Sequence, residues 1–156
     1  MVRIQIIAVG EDKDDWVSDG IAHFEKLLKR YAHIKWTIIK STPKSAAPAP
    51  EQIKFQEAQA IRKHFNSGTI IALADSGRKY DSIKFAQEIE KILAHSSGEI
   101  KLIVGGPYGL DTSILESAEK IISLSSLTFS HQVVRLVLLE QLYRAFSILH
   151  GSDYHK

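Results

Sequence analysis

GGPYGL at residues 105–110, SLSSLTFSHQVVRLVLLEQLYRAFSIL at 123–149 and HGSDYHK at 150–156 fill the last third of the chain. Each of the first two opens at the end of an apolar, strand-like run, IKLIV (100–104) and IISL (121–124). Glycines and small hydroxyl residues in such loops expose main-chain N–H and C=O groups, which can hold a small polar ligand at the carboxyl ends of strands. The spacing from 133 to 149 predicts one long helix, with Ser130 placed to cap it. The tail then carries titratable and aromatic groups suited to proton transfer and phosphate contact. A ligand site and reactive groups in one third of the chain point to an enzyme.

The same alternation runs through the rest of the chain. VRIQIIAV (2–9) reads as a buried strand that ends at Gly10. Asp14 or Asp15 can cap a helix with Trp16, Ile21, Phe24, Leu27 and Leu28 at helical spacing, and IKWTII (34–39) is a second strand. STPKSAAPAP (41–50) holds all but one of the four prolines and is expected to be a mobile loop. A helix runs from Pro50 to Phe65, with Gly68 beyond its end. TIIALA (69–74) is a fully buried type of strand, and DSGRKYDS (75–82) is expected to be a loop. Asp81 or Ser82 caps a helix bearing Phe85, Ile89, Ile92 and Leu93, and Asp111 or Thr112 caps a short one. Alternating strands and helices predict an α/β fold, a mostly parallel sheet covered by helices on both faces.

At 156 residues the chain fits one domain, residues 1–156, with a real core. It has no cysteine, which excludes disulfides and thiolate metal sites. His150 and His155 flank a glycine in poor metal-ligand geometry, so no metal is expected. The N-terminal apolar run is too short for a signal peptide, no run can span a bilayer, and a cytoplasmic protein is the default. With a net charge of only +2, any nucleic-acid partner must be recognised locally or by a site shared between subunits.

On the final helix Glu140, Arg144 and Ser147 share a narrow polar stripe, with Gln141 at its edge, and nearly everything else is apolar. Such a helix needs cover on more than one side, which predicts a homodimer; a central core helix of a monomer is the alternative. Arg135, on the Leu138–Leu139–Leu142 face, either pairs across an interface or faces a ligand. Glu140 and Arg144, four apart, can form a plain helix salt bridge. His131 can be an N-terminal polar contact, and Tyr154 and His155 a frayed end. Walker, dinucleotide, zincin and nucleophile-elbow signatures are all missing.

The order and spacing of TIIALA, IVGGPYGL, SLSSLTFSHQVVRLVLLEQLYRAFSI and a terminal YHK resemble the SPOUT class of knotted methyltransferases, and within it the RlmH family. The resemblance covers essentially the whole chain. Two positions depart from the commonest family pattern: Tyr108 stands where many members are acidic, and SDYHK lacks a proline found before the Tyr-His in some. The resemblance implies a C-terminal deep trefoil knot. It also implies S-adenosylmethionine held by Leu73, Gly105, Gly106, Leu124, Ser125, Ser126, Leu127, Thr128 and Phe129. The implied reaction is methylation of N3 of a pseudouridine in large-subunit (23S) ribosomal RNA, with the assembled ribosome as the expected partner. Catalysis would fall to His155 as proton acceptor, Tyr154 at the base, and Arg135. Arg144, Lys156 and His131 would contact RNA. The alternatives are a knotted methyltransferase for tRNA or another ribosomal base, and a cofactor-binding assembly module without turnover.

Overall fold

The β-branched and apolar runs form the strands, and the segments of helical spacing between them form the helices. The computed structural model describes residues 1–11, 14–41 and 48–156. Along it run β1 (Val2–Val9), α1 (Asp15–Leu28), β2 (Ala32–Ile39), α2 (Pro50–Arg62), β3 (Thr69–Lys79), α3 (Ser82–His95), β4 (Glu99–Val104), α4 (Thr112–Ser117), β5 (Lys120–Ser123) and α5 (His131–Leu149). Side-chain caps are made at α3, α4 and α5, whereas Asp14, at the start of α1, makes no cap hydrogen bond among the described residues. Residues 42–47, most of the proline-rich stretch, lie outside the described residues. The five strands pair in parallel in the order β2-β1-β4-β3-β5.

Both faces of this sheet are covered. Ile4, Ile6 and Ala8 of β1 join the core under α1, α3 and α5, whereas Ile7 and Val9 join the core under α2 and α4. That is the two-residue alternation of a strand buried on both sides. Buried Lys101 on β4 donates to Gln5 Oε1 at 2.7 Å and Asn66 Oδ1 at 2.8 Å, with Glu99 Oε1 at 3.8 Å.

Two expectations change. DSGRKYDS is not a loop throughout. After an irregularity β3 resumes, with Arg78 opposite Ile122 and Lys79 opposite Ser123 of β5. A Cβ on Gly77 would lie 2.5 Å from the Ile122 carbonyl carbon, so a residue without a side chain is what lets the two main chains meet. The exposed, charged Arg78 and Lys79 hide this second half of β3 from a hydropathy reading. The second change concerns α5, which packs between α1 and α3 against the sheet. Its own chain supplies most of the cover: Leu138, Leu139, Leu142, Tyr143 and Phe146 are buried without any second subunit. Ser147, read as part of the polar stripe, is buried too.

Candidate active site

The carboxyl ends of β4 and β5, the break in β3 and the start of α5 enclose a cavity of about 210 Å³. Leu73, Ala74 and Asp75 form one wall, and Val104, Gly105, Gly106, Pro107, Gly109 and Leu110 another. Leu124, Ser125, Leu127, Thr128 and Phe129 face them, with His131 and Val134 of α5 at the side. All the residues expected to hold a cofactor line this cavity except Ser126. The serines around it fold their own loop: Ser123 Oγ donates to the Ser125 carbonyl at 3.0 Å, and Ser125 Oγ accepts from Leu127 N–H at 2.9 Å.

The GGPYGL turn is closed by Gly109 N–H donating to the Gly106 carbonyl at 3.0 Å. A Cβ on Gly105 would meet the Gly109 carbonyl carbon at 2.9 Å, and one on Gly106 would meet the Glu57 carboxyl at 3.2 Å. Gly105 is therefore required by the loop's own closure, and Gly106 lets the loop lie close against Glu57 and Val9. The main chain and the apolar side chains of Leu73, Leu124, Leu127 and Phe129 are thus left as the principal surfaces of the cavity.

His131, expected as an RNA contact, belongs to the cavity wall. Arg135 is fully buried, and its Nη2 donates to the carbonyls of Val9, at 2.7 Å, and Gly10. It ties the carboxyl end of β1 to α5, and the tail residues meet at Arg144, further along the helix.

The tail is docked. Gly151, in the left-handed region, turns the chain after α5, with Ser152 N–H donating to the Ser147 carbonyl at 2.9 Å. This returns Tyr154 and His155 to the helix. Tyr154 Oη donates to Glu140 Oε1 at 3.0 Å, and its ring meets Tyr143 edge-on with centroids 4.7 Å apart. The Arg144 guanidinium lies 4.7 Å over the Tyr154 ring, donates to Glu140 from Nε at 3.1 Å, and has Nη1 3.2 Å from His155 Nδ1. Removal from water, then the hydrogen bond to Glu140 and that carboxylate's charge, raise the Tyr154 phenol above its ordinary pKa. Lys156 is exposed.

The structure therefore makes two clusters. His131 and the loops form the cavity; Glu140, Arg144, Tyr154 and His155 form the second. From His131 to Arg144 is about 20 Å along α5 at the rise of a helix. Asp75 and Glu57 were missed by sequence reasoning. Asp75 had a signal, its place directly after the TIIALA strand. Glu57 had none, because an acidic residue in an amphipathic helix reads as solvent-facing.

A family profile described as "Predicted SPOUT methyltransferase" matches residues 2–155. The chain belongs to the SPOUT methyltransferase family. Its relatives there include two proteins named ribosomal RNA large subunit methyltransferase H. The one from Streptococcus uberis is 41% identical over 160 residues, 99% of this chain and 100% of its own. The one from Bifidobacterium adolescentis is 39% identical over 159 residues, with the same coverage. Among solved structures, a "Probable Methyltransferase" from Bordetella pertussis aligns with a TM-score of 0.59 at 11% identity, over 92% of this chain and 94% of that one. A "probable methylase family protein" from Haemophilus influenzae gives 0.53 at 17% identity, over 99% of this chain and 70% of that one. At such identities the structural likeness speaks for the fold. The family and the α/β architecture drawn from the sequence are both borne out.

Proposed function

We propose that this chain is a single-domain cytoplasmic methyltransferase for large-subunit ribosomal RNA, using S-adenosylmethionine to methylate N3 of a pseudouridine. The observation that carries the reading is the cavity at the strand ends, in a chain alike over its whole length to proteins named for that RNA. Its composition fits the cofactor: main-chain edges for polar contacts, and leucines and Phe129 to flank an adenine. When bound, the cofactor supplies an already activated methyl group. The protein's tasks are then alignment and removal of the N3 proton.

In this reading His155 accepts the proton, since imidazole titrates near neutrality. Tyr154 contacts the base, while Arg144, Lys156 and His131 hold RNA phosphates. Arg135 acts by position, fixing the end of β1 beside His131; a Cβ on Gly10 would lie 3.7 Å from that imidazole. The distance between the two clusters supports a homodimer, in which the tail of a second copy reaches the cavity of the first. Membership of the SPOUT methyltransferase family supports a C-terminal trefoil knot. Among the described residues no helix can cross a membrane and no cluster of metal-ligating side chains exists.

Methyl transfer from labelled S-adenosylmethionine tests the reading on ribosomes lacking the modification, on free ribosomal RNA and on tRNA. Transfer to ribosomes at pseudouridine N3 is the expected outcome. Transfer to tRNA alone would move the substrate, and binding without transfer to any RNA would remove the enzyme reading.

A further inference from the structure

Glu57 lies on α2 beside buried Ala58 and Ile61 and is 6% exposed, while Phe55, two residues earlier, is 56% exposed. The helix thus hides a carboxyl and shows a phenyl ring to solvent. Burial pushes the Glu57 carboxyl up from its ordinary pKa. A carboxyl withdrawn from water in this way costs stability, and packing beside Ala58 and Ile61 gives no reason to keep it. Its position does. The carboxyl oxygens lie 3.2 and 3.4 Å from where a Cβ on Gly106 would be, against the main chain of a cavity-lining residue. No side chain stands at Gly106 to screen that charge from the cavity. Asp75 adds a second anionic group on another wall, and no lysine or arginine is among the lining residues.

We propose that Glu57 is a specificity-determining residue of the cavity: its carboxylate, set behind Gly106 and assisted by Asp75, favours a sulfonium ligand over the uncharged thioether left after methyl transfer. The proposal rests on the cofactor reading above. In that reaction the N3 proton leaves to a base, the N3 electron pair forms the N–CH3 bond, and the S–CH3 bond breaks with its pair remaining on sulfur. The sulfur goes from +1 to neutral, and the rest of the molecule is unchanged. A fixed negative charge beside the cavity therefore holds the substrate form more tightly than the product form, and speeds exchange after turnover.

Isothermal titration with S-adenosylmethionine and S-adenosylhomocysteine at about pH 8, well above ordinary carboxylate pKa values, compares wild type with Glu57→Gln. The preference for the sulfonium should fall about tenfold in Glu57→Gln, chiefly through weaker sulfonium binding. Glu57→Asp should keep most of it. An unchanged ratio, or equal weakening of both ligands, would show that Glu57 only shapes the loop and would overturn the proposal. Should Glu57→Gln fail to fold by circular dichroism, Asp75→Asn carries the same comparison and must shift the ratio the same way. Wild-type protein that binds neither ligand would remove the cofactor reading itself, and this inference with it.

Discussion

At Gly105 one methyl group is too large. Its carbon would sit 2.9 Å from the Gly109 carbonyl carbon and 3.1 Å from Leu110 Cδ2, so Gly105→Ala must open the turn that walls the cavity. The loop lies at the surface end of β4, and the rest of the sheet can form without it. The expected result is a folded protein with at least about tenfold weaker S-adenosylmethionine affinity, measured by titration. At Gly77 the approach is to the main chain of β5, Ile121 at 2.7 Å and Ile122 at 2.5 Å, and neither strand can move without losing its pairing. Gly77→Ala should therefore lower the melting temperature sharply or prevent folding. Glu57 carries a stability signature of its own. Its carboxyl is raised in the fold, so as pH rises past about 4.5 the unfolded chain ionises first and stability falls until the folded group ionises too. Glu57→Gln removes that loss: its melting temperature should exceed wild type at about pH 8 and match it near pH 4. A lower value at pH 8 would mean that the carboxylate is satisfied by a partner such as bound water.

At the scale of elements, α5 and the tail behave as one unit. Half-buried Val133 and Val137 fall one helical turn apart and continue toward Glu140 and Arg144, the outward side of a helix whose other sides meet α1, α3 and the sheet. Val137→Glu should leave a folded chain and shift light scattering from about twice 17.5 kDa to one copy, whereas Leu139→Glu should unfold the protein. The tail also stabilises. Tyr154 keeps its proton to a higher pH in the fold than in the unfolded chain, so its contribution holds below about pH 10 and is lost as pH rises through the raised value. Thermal melts should show that alkaline loss in wild type and not in Tyr154→Phe. Much of this was legible in sequence: Ser130 caps α5 at Val133 N–H as expected, and of the paired candidates Asp81 rather than Ser82 caps α3 and Asp111 rather than Thr112 caps α4. Cap signals are local, and so are glycine turns. What was illegible depends on distant neighbours. The second half of β3 needs β5 to exist, the direction of Arg135 needs the open carbonyls of β1, and the docking of Tyr154 needs Gly151 to reverse the chain onto Glu140. The all-round apolarity of α5 was read correctly, but hydropathy could not say whether the cover came from the same chain.

For the whole molecule, the decisive quantity is the separation of roughly 20 Å along α5 between the cavity at His131 and the tail cluster at Arg144. A tail held to its own helix by Glu140, Arg144 and Tyr143 cannot also fill its own cavity, so in the proposed dimer each working site combines one copy's loops with the other's tail. Mixing two variants tests this, at an S-adenosylmethionine concentration low enough that a cavity weakened by Gly105→Ala stays empty. One lacks residues 154–156 and keeps an intact cavity; the other carries Gly105→Ala and keeps its tail. If tails act on the partner, every mixed dimer has one intact site. Random re-association of equal amounts then makes half the dimers mixed, and methyl transfer should return to about a quarter of the wild-type rate. If each tail serves its own cavity, no combination contains an intact site, and the mixture stays as inactive as its parts. That second result would leave the cavity in place and move the reactive tail back to its own subunit, requiring it to undock from Glu140 and Arg144 during turnover.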